Sequence, residues 1–409
     1  MSNAKNLKIN QIDKKNISFK ELSLIKNMIF WVDIIPDDQT KKNAIFAKPF
    51  NDKNAIPQKL TGDNFYIKSN FHGYGGKSYQ CIEVNDQIYL IWVDQLSKAM
   101  WLQILRVQEK VPKNDNEYLL CDMEPIQLTE SIKINFDTSF VISKNNLLYG
   151  LCEIKHRDYL FSLNLKKTKQ EIRIIKKFDN FAGNLSSNIS ADLFSWIEWN
   201  ADSMPWERNE LFFAIIDNDG EIQKIKKFSN KLVNEEKNVS FFQPYWVSDN
   251  ILICSEDSTG WWNLLFLDVT DIENVILKKR IMKPLTEYGS PQWVSGISFF
   301  SGNIKNLFCI AKKDNSWVLE HYQNCECIKE LKLPFCSISD LDVCDRKLVI
   351  RGGSFDCFDE LFKCDFEEKS HTKLLNEISF ESVNEYARPE SFWFKGFNNQ
   401  PTHSFIYKP

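Results

Sequence analysis

Short apolar runs recur along this chain, and their spacing limits its fold more than any other feature. Each run is about five to eight residues long and is bounded by Asn, Asp, Gly or Lys clusters. Runs of that length between turn residues read as strands, and long helical periodicity is scarce. Seven of them form a series: Met28–Val32, Gln87–Val93, Leu147–Cys152, Leu193–Trp199, Ile251–Cys254, Leu307–Ala311 and Lys347–Ile350. Their starts lie roughly 40 to 60 residues apart. Partner strands flank them, such as Tyr79–Val84 before Gln87, Leu211–Ile216 after Trp199 and Trp262–Leu267 after Cys254. A repeat of about 40–50 residues with about four strands is the spacing of propeller blades. The expected fold is therefore all-β, a seven-bladed β-propeller over residues 25–377. A polar segment, 1–24, is expected before it and a connector, 378–409, after it. The uneven period leaves a pair of β-sandwiches as the alternative.

Composition supports the strand reading. The chain has 31 Phe and 12 Trp but only 14 Gly, and aromatic residues favour pleated, half-buried surfaces. Most of these rings are expected to fill the wedges between blades. The formal net charge of −4 offers no cationic excess for a phosphate backbone, so no nucleic-acid partner is expected. Eleven cysteines, an odd number at irregular spacing, read as reduced thiols in a cytoplasmic protein. The first twenty or so residues lack the apolar core of a signal peptide. No apolar stretch is long enough to span a bilayer, so no membrane partner is expected.

Four stretches carry more information than the spacing. Phe71–Gly76 reads Phe-His-Gly-Tyr-Gly-Gly. Ser195–Trp199 reads Ser-Trp-Ile-Glu-Trp and is followed by Met204-Pro205-Trp206. Phe242–Trp246 is followed by Gly260-Trp261-Trp262-Asn263-Leu264. Tyr288–Gly296 reads Tyr-Gly-Ser-Pro-Gln-Trp-Val-Ser-Gly. In this order they resemble the N-terminal propeller of the prolyl oligopeptidase family of serine peptidases, in its dipeptidyl-aminopeptidase and acylaminoacyl-peptidase branch. The family's His-Glu-Tyr-Gly-Gly motif has Gly73 in place of its acidic residue here, and Glu207-Arg208 stands where the family tends to an Asp.

The resemblance implies an α/β-hydrolase domain beyond the propeller, carrying the catalytic Ser, Asp and His. Such a domain needs a G-x-S-x-G elbow, and the sequence contains none; Gly296-Ile297-Ser298 and Gly352-Gly353-Ser354 lack the closing glycine. The aromatic stretch from Arg388 to Pro409 resembles the strands that lead into that domain. The resemblance implies a non-catalytic, substrate-gating propeller, inactive alone, whose partners are a peptide substrate or a hydrolase domain in trans. The alternative is a free-standing propeller that binds a protein or peptide. No catalytic residue and no cofactor is expected. Candidate substrate-binding residues are Glu198, Trp199, Trp206, Trp261 and Arg351, with Glu256 and Asp257 as further charged candidates. His321, Cys325, Cys327, Cys336 and Cys344 cluster in sequence, but a Cys-x-Cys pair on a strand lacks the usual zinc spacer, and no metal site is expected.

Overall fold

In a computed structural model, residues 20–35, 42–52, 54–108, 118–121, 123–131, 133–233, 238–314, 316–354, 357–366, 370–373 and 389–408 are described. They form seven antiparallel sheets of four or five strands, arranged in a ring as a seven-bladed β-propeller. The seven runs of the series are all second strands of their sheets. In full they are Met28–Ile34, Gln87–Asp94, Leu147–Ile154, Leu193–Trp199, Ile251–Glu256, Asn306–Lys313 and Lys347–Ser354.

Burial explains why those strands stand out in the sequence. Ile251–Glu256 is buried along its whole length, whereas Ile276–Ile281, at the rim of the same blade, is half-buried or exposed throughout. A second strand packs against neighbouring blades on both faces, so it reads as a continuous apolar run. A rim strand meets water and loses the pattern.

Turn chemistry sets the registers. Lys26-Asn27, Asn85-Asp86, Lys155-His156 and Asn324-Cys325 each place two successive residues at positive φ. Two residues at positive φ make the tight turn whose twist matches that of the flanking strands. Each pair closes a hairpin: Ile25 faces Met28, Val84 faces Gln87, Ile154 faces Arg157, and Gln323 faces Glu326.

Every sheet is drawn from one continuous stretch of chain, so the first and seventh blades share no strand. Their seam is closed by packing instead. Leu22, Leu24, Ile29, Trp31 and Phe50 of the first blade pack with Val349 and Leu361 of the seventh. The amide of Leu24 donates to Asp342 Oδ2 at 2.7 Å. The innermost strand of the first blade is Lys20–Ile25. The ring therefore takes in the last five residues, 20–24, of the segment expected to precede it, because the second strand needs an inner partner to satisfy its backbone groups.

The seven inner strands surround an axial tunnel with a cavity of about 440 Å³. Its wall is polar, including Ser23, Gln80, Ser139, Ser186, Gln243 and Asp342. Beyond the ring, and among the described residues, Glu390–Lys395 and Pro401–Ile406 pair only with each other, as a two-stranded hairpin.

Candidate functional site

Two irregular segments meet over the tunnel. One contains Phe71–Gly76 and links the first blade to the second. The other, Tyr288–Phe299, interrupts the inner strand of the sixth blade between Thr286–Glu287 and Phe300–Asn303. The second and sixth blades stand on opposite sides of the ring, so their segments can touch only by crossing its mouth. They do touch: Gly76 and Ser295 form a parallel β-bridge, and the Lys77 amide donates to Ser295 O at 3.1 Å.

Glycine makes this approach possible. A Cβ on Gly76, at φ 154°, would lie 2.8 Å from three atoms of Ser295. Gly296, at φ 86°, faces the Lys77 side chain with no room for a Cβ. Side chains from the intervening blades fix the crossing. Ser295 Oγ donates to Asp137 Oδ1 at 2.6 Å, and Thr138 Oγ1 donates to Lys77 O at 2.6 Å. Asn184 Nδ2 donates to Gln292 Oε1 at 2.5 Å, and Gln292 Nε2 donates to Phe241 O at 2.9 Å.

Aromatic rings gather on the crossing. The rings of Trp206 and Trp293 lie 4.4 Å apart by their centroids, and Tyr74 meets Trp293 edge-on at 6.3 Å. Tyr74 and Trp293 remain 68% and 55% exposed, which is unusual for rings of that size. Below them, His72 stacks on Phe71 at 3.8 Å and meets the rings of Phe181 and Trp199 edge-on at 5.2 and 5.5 Å. Its Nε2 lies 2.7 Å from Asp158 Oδ2. That oxygen also accepts the Ala182 amide at 2.8 Å, and Asp158 is only 1% exposed. His72 holds φ 51°, a left-handed conformation uncommon for a side chain other than glycine.

The structure divides the residues expected to bind substrate. Trp199 and Trp206 belong to the aromatic group. Glu198 occupies the opposite side of its strand, where it accepts Trp196 Nε1 at 2.8 Å and lies 3.8 Å from Lys176 Nζ. Burial raises its pKa above the usual carboxylate range. Trp261 lies on the fifth blade, just before the strand Asn263–Asp268, and is partly exposed. Its neighbour Trp262 is buried against Phe242, at 5.8 Å between ring centroids. Arg351 lies on the seventh blade, where its Nε donates to Ser339 Oγ at 2.6 Å and its Nη2 stands 4.0 Å from Asp340. These five residues therefore do not make one site.

The two further acidic candidates hold the fifth blade together. Glu256 is buried and accepts Arg280 Nε at 2.9 Å and Nη2 at 2.6 Å. Asp257 accepts the Ser240 amide, and burial pushes its pKa up to about 6.

Tyr74, His72, Asp158 and Trp293 were not singled out as binding residues. Three of them lie inside the motifs that carry the family resemblance, and that was the available signal. Asp158 had none, since its role depends on a contact made 86 positions away. The five cysteine and histidine residues do not converge. His321 stacks on Phe308 at 4.3 Å inside the sixth blade, whereas Cys344 belongs to the seventh. Among the described residues, no three His, Cys, Asp or Glu side chains gather to hold a metal ion.

No protein-family model matches the chain, and no curated protein matches it significantly in sequence. Solved structures do match its fold. A puromycin-hydrolysing peptidase of Mycobacterium tuberculosis matches with a TM-score of 0.81 at 15% identity, over 99% of this chain and 60% of its own. A puromycin hydrolase matches with a TM-score of 0.78 at 15% identity, over 97% of this chain and 59% of its own. The fold is that of the prolyl-oligopeptidase-family propeller. The acylaminoacyl peptidase of Pyrococcus horikoshii shares it more distantly, with a TM-score of 0.61 at 10% identity over 97% of this chain and 58% of its own. At such identities the likeness is one of fold. The chain spans about 60% of the length of the two puromycin-hydrolysing proteins. Among its described residues, no helix is long and apolar enough to cross a membrane.

Proposed function

We propose that this chain is the substrate-gating, non-catalytic propeller of a prolyl-oligopeptidase-type serine peptidase. Hydrolysis of peptides or acyl-peptides is carried by an α/β-hydrolase domain, on the same polypeptide or in trans. The observation that carries this reading is the hairpin Glu390–Ile406. It belongs to no blade, and its rings at Phe392, Trp393, Phe394, Phe397 and Phe405 are all exposed. A two-stranded sheet is marginal by itself, and a contiguous exposed apolar patch marks an interaction surface. A free-standing propeller would keep that hairpin covered, so the exposure counts against the alternative reading. The crossing over the tunnel suits a gate, since it bars a thick substrate from the axis.

On this reading the protein stays in a reducing compartment, the cytoplasm. Burial pushes the Cys364 thiol up to about 12, so at neutral pH it is an inert core group and not a nucleophile.

The test is to isolate the native protein from its own cells and treat it with a biotinylated fluorophosphonate. The expected result is a reactive serine on a hydrolase domain that is fused to the propeller or co-purifies with it in equal amount. Labelling of a serine within residues 20–373, or a native protein with no reactive hydrolase attached, would sink the proposal.

A further inference from the structure

We infer that the crossing is a clasp on the seam: the ring opens between its first and seventh blades only when the contact between Gly76 and Ser295 parts. This goes beyond the gating reading and does not depend on it.

Blade order gives the clasp its position. Consecutive blades are joined by the chain, which runs from each one into the next. The seventh blade has no such link to the first, so their two faces can separate without stretching the chain. Between the second and sixth blades, the short way round the ring passes through the first and the seventh. The crossing joins the second blade's segment to the sixth's, so it spans the arc that holds the seam.

Polar contacts extend the clasp to both seam blades. Ser78 follows Gly76 and Lys77 directly. Its amide and hydroxyl donate to Glu21 Oε2 of the first blade at 2.5 and 2.7 Å, and Tyr79 Oη donates to Glu21 O at 2.5 Å. On the other arm, Ser298 forms a parallel β-bridge with Asp340 of the seventh blade. The Leu341 amide donates to Ser298 O at 3.1 Å, and Ser298 Oγ donates to Leu341 O at 2.9 Å. Short pieces of chain and hydrogen bonds thus run from Glu21, through the crossing, to Leu341.

Charge follows the same line. The Lys77 stem lies against Gly296, and Lys77 lines the tunnel together with Asp342. Burial raises the pKa of Glu21, Asp340 and Asp342, and attraction to the Lys77 ammonium offsets part of that rise in each. One cation therefore serves carboxyl groups on both sides of the seam, and opening the seam takes it away from at least one side. While the crossing holds, the seam faces stay at high effective concentration and any gap between them recloses.

Hydrogen exchange on the full chain reads this opening. In the unaltered protein, the hydrogen-bonded amides of Lys20–Ile25 and Ser337–Cys344 should exchange faster than those of Ile251–Glu256. Gly76→Ala, which forces the crossing apart, should speed both seam strands by about tenfold or more. The decisive strand is Ser337–Cys344, which the crossing reaches only through Ser298. Ser298→Ala is the milder variant and serves if Gly76→Ala does not fold. It removes the bond to Leu341 O and should speed Lys20–Ile25, on the far side of the seam, by several-fold. Seam strands that keep their rates in these variants overturn the inference, and the crossing is then a local contact. Seam strands that exchange no faster than Ile251–Glu256 in the unaltered protein overturn it as well, because no separate opening is left for a clasp to control. Neither readout involves a hydrolase, so this inference and the gating reading fail separately.

Discussion

Glu21 shows how much a single side chain can report on this ring. It sits at a bulge in the innermost strand of the first blade, at φ 59°, and reaches across to Ser78 of the second. Burial raises its pKa to about 7, against the hydrogen bonds from Ser78 that lower it. Asp340 and Asp342 nearby are raised by burial as well. A carboxyl group whose folded pKa exceeds its unfolded one makes the folded state bind more protons, so stability falls as pH rises through that interval. The melting temperature should therefore decline between about pH 4.5 and 7 and level off above. Glu21→Gln should flatten that decline and melt higher at pH 8; an unchanged pH profile would rule out Glu21 as its source. Glu320 anchors a separate network in the sixth blade. It is fully buried, and it accepts Lys283 Nζ at 2.6 Å, Tyr288 Oη at 2.8 Å and Tyr322 Oη at 2.6 Å. Glu320→Ala leaves all three donors unpaired and should cost about 3–5 kcal/mol in denaturant unfolding.

At the scale of elements, the crossing over the tunnel carries the strongest expectation. Gly76→Ala places a methyl group against Ser295 at a backbone angle that side chains avoid, so the bridge must part. The expected cost is about 1–3 kcal/mol, together with faster hydrogen exchange at Lys77, whose amide bonds to Ser295 O. A stability equal to the unaltered protein would mean that the two segments merely lie near each other. The individual motifs of this region were legible in the sequence, and their meeting was not. Gly76 and Ser295 are far apart in the chain, and no local pattern encodes a contact between blades on opposite sides of a ring. The same limit explains Glu198 and Arg351. Strand alternation places Glu198 opposite Trp199, but only the assembled blades show which side faces the tunnel mouth.

For the whole molecule, the blade count was legible because second strands are buried on both faces and so read as seven apolar runs. The start of the ring was not, since in the inner strand Lys20–Ile25 the buried Leu22 and Leu24 alternate with half-buried Glu21, Ser23 and Ile25, too short a pattern to stand out. Among the described residues, the seam between first and seventh blades is held by side-chain packing, the Leu24–Asp342 bond and a hydrogen bond from Lys347 Nζ to Asn27 Oδ1, where a shared sheet would supply a row of backbone bonds. Lys20–Ile25 is also paired on one side only, whereas Ile251–Glu256 is paired on both, so amides of Lys20–Ile25 should exchange before those of Ile251–Glu256. Leu22→Ala, at a site 1% exposed, should cost about 2–5 kcal/mol and widen that gap. Exchange at equal rates in the two strands would show that the ring opens as one unit.

Sheets drawn from single stretches of chain also bear on how the molecule is made. Each blade can hydrogen-bond itself as it leaves the ribosome, since its partners lie within a few tens of residues. Its flat apolar sides wait longer. The first blade stays uncovered on its seam side until the seventh has been synthesised. Throughout that interval Leu22, Leu24 and Trp31 are the surface a ribosome-associated chaperone would have to shield.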